Sequence, residues 1–111
     1  MSDEPTESFD MNERADGDRV VVALRGELDL ATVDEVRACL ESLRAANRPV
    51  VLDLDELTFM DSTGIRLVLE SVRDSEREGW RFEVTRGSSA VRRIFAAAHI
   101  DDRLPYAAED G

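Results

Sequence analysis

Lysine does not occur in this 111-residue sequence; all fourteen basic residues are arginine. A Gly-x-x-x-x-Gly-Lys loop needs a lysine ammonium on a phosphate, so that nucleotide-binding device is excluded, and no G-x-G-x-x-G is present. Cysteine and histidine occur once each, as Cys39 and His99. An intrachain disulfide is therefore impossible, and the chain offers no zinc cluster, no Ser-His-Asp set and no Cys-His pair. Cys39 reads as a small core or boundary residue within a helix. His99 reads as a group at a helix end that meets the last carbonyls. No apolar run is long enough to cross a bilayer, and the first residues are acidic where a signal peptide would be basic and then apolar. The expected location is the cytoplasm, and no metal or cofactor is implied.

What is present is acid. The net charge is −11, unevenly spread. Residues 1–18 hold seven acids against one arginine, and residues 101–111 hold four against one, whereas the middle is near balance. Phosphate backbones and anionic lipid repel such a chain, which argues against nucleic acid and membrane as partners. Hydrophobic residues make up 42% of the sequence, enough for one modest core and too little for a deep substrate cavity.

Local patterning predicts a single domain over residues 9–106, after a disordered acidic lead-in at 1–8 and before a short tail at 107–111. Residues 9–14 read as a short edge strand, and Asp16-Gly17-Asp18 as a turn. Val20 to Leu24 is an apolar β-branched run, expected to be a buried strand that Gly26 ends. A helix is predicted over 31–46, with Val33, Val36, Leu40 and Leu43 on one face and Asn47-Arg48-Pro49 as its stop. Pro49 to Leu54 reads as a second buried strand, followed by a connection through Asp61. The clearest helix runs from Ser62 to Glu78. Its stripe is read as Ile65, Val68, Leu69 and Val72, with Gly79 as its stop. Arg81 to Arg86 alternates as a strand. Ser88 or Ser89 starts a third helix with Val91, Ile94, Phe95 and Ala98 inward, and Leu104 to Tyr106 is a possible last strand. Strands alternating with amphipathic helices imply an α/β fold: a mixed, largely parallel sheet of four to five strands.

One constellation stands out: Phe59-Met60-Asp61-Ser62-Thr63-Gly64, between a buried strand and the strongest helix. Taken alone it is a helix start, with Asp61 or Ser62 as the cap. Hydroxyls at that position also sit where backbone N–H groups and the helix dipole tolerate a phosphate. In a parallel sheet, Gly26-Glu27-Leu28-Asp29 leaves its strand at the same end, so Asp29 is expected near Ser62.

These segments resemble STAS domains, in particular the stand-alone anti-sigma factor antagonists of bacteria. The resemblance spans roughly residues 9–106. It is carried by Leu24-Arg25-Gly26-Glu27-Leu28-Asp29, by Val51-Leu52-Asp53-Leu54, by Leu57 through Ile65, and by Gly87 through Phe95 with His99-Ile100. It implies a sheet with helices on one side and phosphorylation at Ser62. It also implies an anti-sigma factor with serine-kinase activity as partner, and a PP2C-type phosphatase that reverses the mark. Asp29 matches the family aspartate near the phosphoserine, and Asp29, Asp61, Ser62, Thr63, Gly64, Ile65 and Arg66 are the expected partner-binding residues. The family usually ends in a further helix, expected here to be missing or reduced to a turn after Tyr106. Two other readings use the same fold: an interaction module of another signalling or sensory complex, and a small-ligand-binding module. No enzyme activity is implied.

Overall fold

The computed structural model describes residues 9–108; the lead-in at 1–8 and the last residues of the tail lie outside them. Four strands, β1 (Asp10–Asp16), β2 (Arg19–Leu28), β3 (Val50–Met60) and β4 (Phe82–Val84), form one sheet in the order β1-β2-β3-β4. The hairpin β1–β2 is antiparallel, turning at Gly17 with φ 67°. β2–β3 and β3–β4 are parallel, each joined through a helix: α1 (Val33–Ala45) and α2 (Ser62–Glu78). Helix α3 (Ser89–Ala97) and a 3-10 turn at Asp101–Arg103 follow.

The helices cover one face. Val20, Val22, Leu24 and Leu28 of β2 and Val50, Leu52, Leu54, Leu57 and Met60 of β3 form a single core with residues from all three helices. Full burial of a side chain of this size stabilises a fold by about 1.5–3 kcal/mol. Val21 and Val51 point the other way and are still only 4% and 5% exposed. Arg19 of β2 reaches Glu83 of β4 at 3.8 Å, across the intervening β3, and long polar side chains shield that face.

Both central strands run further than the apolar pattern suggests. Gly26 does not end β2. It sits at φ 98°, beside a shift of register between Gly26 and Glu27, and the strand resumes to Leu28. The segment after Leu54 is likewise strand up to Met60, not a connection. Its acids Asp55 and Glu56 are exposed, while Leu57 and Met60 stay in the core. The extra length carries the chain to the start of α2. At the other end, Leu104 to Tyr106 supplies only a single parallel bridge, Val84 to Tyr106.

The buried face of α2 also differs from the expected stripe. Gly64, Leu67, Val68 and Ser71 are buried, whereas Ile65, Leu69 and Val72 are half-exposed along its flank. The absence of a side chain at Gly64 lets the helix start approach Met60 and Leu28 closely. The buried Ser71 hydroxyl costs little, because it donates to the Leu67 carbonyl at 2.9 Å. In α3, Val91 and Phe95 are buried and Ile94 half-buried. Ala98 is exposed, because the helix ends before it with His99 in the left-handed region at φ 62°. The Ile100 N–H then donates to Phe95 and the His99 N–H to Ala96, closing that terminus with backbone alone.

Candidate functional site

Asp61 organises the end of the sheet where β2 and β3 both exit. As the residue before α2 it has extended backbone, and its carboxylate accepts from the N–H groups of Thr63 at 2.9 Å and Gly64 at 3.4 Å. The Thr63 hydroxyl donates to the same oxygen at 2.5 Å. The Asp61 N–H donates to the Leu28 carbonyl at 3.1 Å, and the Leu30 N–H donates back to its carboxylate. These bonds, the Thr63 hydroxyl first among them, hold the Asp61 carboxyl below its ordinary range against a partly opposing desolvation. One side chain thus fastens the β2–α1 loop to the start of α2.

Asp29 lies between the two residues that bond Asp61. Its carboxylate accepts from the Ala31 N–H at 3.0 Å and the Thr32 hydroxyl at 3.3 Å, an Asx-type turn leading into α1. The Thr32 hydroxyl shares its one hydrogen with the Glu27 carbonyl, the shorter of the two contacts at 2.9 Å. The topology therefore brings Asp29 to the same end of the sheet as Ser62. Among the described residues no hydrogen bond joins the two side chains.

The two adjacent hydroxyls are in different situations. Ser62 is exposed, and among the described residues its hydroxyl has no hydrogen-bond partner. Thr63 is half-buried and committed to Asp61. Gly64 is buried: a Cβ there would lie 2.6 Å from Met60 Cγ and 3.0 Å from Leu28 Cγ. Ile65 is half-exposed and Arg66 exposed, and both share a shallow hollow with Ser62, Leu69, Glu70 and Arg73.

Two further residues belong to this end of the molecule. Leu30 is 75% exposed and Phe59 43%, the two large apolar side chains most open to solvent among the described residues. Leu30 is one hydrogen bond from Asp61 and Phe59 two residues before it. Leu30 was legible as an apolar residue inside a turn-forming stretch, Asp29-Leu30-Ala31-Thr32, off any helical stripe.

The four-stranded mixed sheet with helices on one face is shared with known proteins. A family model described as Mlab, STAS domain matches residues 11–106, and the chain belongs to the STAS domain family. Within that family it stands among the anti-sigma factor antagonists. It is 30% identical over 93 residues to the anti-sigma F factor antagonist of Lysinibacillus sphaericus, covering 82% of this chain and 80% of the relative. The solved structure of the anti-sigma factor antagonist SpoIIAA in its unphosphorylated form is 28% identical, with a TM-score of 0.71 over 92% of this chain and 90% of that one. SpoIIAA of Bacillus in its phosphorylated form is 27% identical, with a TM-score of 0.66 over 92% and 93%.

Proposed function

We propose that this chain is an anti-sigma factor antagonist switched by phosphorylation at Ser62. In its unphosphorylated state it binds an anti-sigma factor that is also a serine kinase, and so releases a sigma factor. Phosphate on Ser62 abolishes that binding, a PP2C-type phosphatase restores it, and the cycle runs in the cytoplasm. Asp29, Asp61, Ser62, Thr63, Ile65 and Arg66, with Leu30 and Phe59, form the partner face, and the buried Gly64 seats the helix start beneath it. The observation that carries this reading is the exposed, unbonded hydroxyl of Ser62 on a helix start whose other polar groups are committed. A kinase can reach that hydroxyl without unfolding the helix, and the N-terminal dipole tolerates the new charge. A partner surface shaped around a neutral hydroxyl does not. That surface must desolvate a dianion beside Asp29 and Asp61.

The test is titration of the partner kinase against phosphorylated and unphosphorylated protein. A penalty of about 3 kcal/mol corresponds to roughly hundredfold weaker binding of the phosphorylated form. Equal affinities, or a phosphate mapped to Thr63, would refute the mechanism.

A further inference from the structure

Arg66 stands one helical turn after Ser62. Residues four apart share a face, and helical side chains lean toward the N-terminus, so the Arg66 guanidinium reaches back over the surface that carries Ser62. Both residues are exposed and line the same hollow. The acids nearest to Arg66 along the helix are already engaged. Glu70, one turn further on, accepts from Arg37 of α1 at 2.6 Å. Asp61 is occupied by Thr63, Gly64 and Leu30. Among the described residues Arg66 itself has neither an ion pair nor a hydrogen bond. The arrangement is a cation without a counter-ion, set at ion-pair spacing from a hydroxyl.

We propose that Arg66 is the internal counter-ion of a phosphate on Ser62. The proposal rests on the reading of Ser62 as the modified residue and adds the group that receives the modification. In the phosphorylated chain the planar guanidinium pairs with two phosphate oxygens, the geometry in which arginine binds such groups best. The consequence for the switch is twofold. The phosphate adds about −1.5 to −2 charges, and the pairing withdraws from the docking face a cation that the unphosphorylated form presents to a partner.

The experiment uses the full chain with phosphoserine encoded at position 62 during synthesis, so that it does not depend on any kinase. Phosphorus NMR then gives the second pKa of the phosphate in the otherwise unaltered chain and in the Arg66→Ala, Arg66→Lys and Arg73→Ala variants. Removing the counter-ion in Arg66→Ala raises that pKa by about 0.3 unit, the size expected of a helical pair at this spacing. Arg66→Lys keeps part of the effect. Arg73→Ala, which loses a cation from the same hollow but not one turn from Ser62, leaves the pKa unchanged. No rise in Arg66→Ala, or an equal rise in Arg73→Ala, overturns the pairing. Either outcome can coexist with phosphate-dependent loss of kinase binding, so failure here is distinguishable from failure of the proposed switch.

Discussion

Ser62 and Thr63 are chemically similar neighbours that the fold separates. The Thr63 hydroxyl completes the bonding of Asp61, while Ser62 is left facing solvent. Ser62→Ala is therefore expected to fold normally and to take no phosphate from a partner kinase. Thr63→Ala is expected to retain phosphorylation, as site mapping by mass spectrometry would show. The cap itself is testable through stability. Asp61→Ala removes the acceptor of three local donors and should cost about 1 kcal/mol in denaturant melts. Because the Asp61 carboxyl is held below its ordinary value of 3.8, its contribution is present above that pH and is lost as pH falls through the lowered value. The native chain should therefore lose more stability than Asp61→Asn between neutral pH and pH 3. Equal acid sensitivity in the two would show that the bonds around Asp61 do not favour its charged form.

At the scale of the element, α2 carries two candidate stripes. Counting apolar residues selects Ile65, Val68, Leu69 and Val72. Packing selects Gly64, Leu67, Val68 and Ser71, and the missing bulk at 64 is what lets the helix start lie close to Leu28 and Met60. Leu67→Ala should cost about 2–5 kcal/mol, the usual range for emptying a buried leucine site, and Leu69→Ala distinctly less. Gly64→Ala places a methyl group against Met60 and Leu28 and should cost about 1–3 kcal/mol by overpacking. Denaturant melts of the three variants check the assignment, and a larger loss at Leu69 than at Leu67 would contradict it. The strand ends show why local pattern falls short. At Gly26 the apolar run stops, but a bulge, and a Thr58 hydroxyl donating to the Gly26 carbonyl at 2.9 Å, carry β2 onward to the site.

Across the whole molecule, ionisable groups tie separate elements together. Arg37 to Glu70 at 2.6 Å and Arg44 to Glu78 at 2.9 Å join α1 to α2. As partly exposed pairs, each contributes little by itself. Cys39 of α1 donates to Glu13 of the edge strand at 3.2 Å, and burial first, then Glu13, pushes its thiol from 9.0 to about 12. A raised value means that the folded chain holds this proton more tightly than the unfolded one. The contribution is intact below pH 9.0 and is lost as pH rises towards 12. Alkaline melts should show that loss, and Cys39→Ala should lessen it. Alkylation of Cys39 at pH 8 should run far slower than that of a free thiol, since the thiolate is the reactive form. Rapid modification in the folded state would contradict the raised value.

The sequence by itself determined the order of elements, the α/β class and the start and stop of α2, and it singled out Asp61-Ser62-Thr63-Gly64. These follow from short-range physics: a capping carboxylate, a glycine able to adopt φ 74° at position 79, and β-branched runs that bury. Tertiary structure decided which flank of α2 is buried, and that Leu30 and Phe59 stand exposed. Among the described residues it also left Arg66 without a carboxylate, by giving Glu70 to an arginine of another helix. Each of those outcomes depends on groups brought together from distant parts of the chain, and local periodicity carries no record of them.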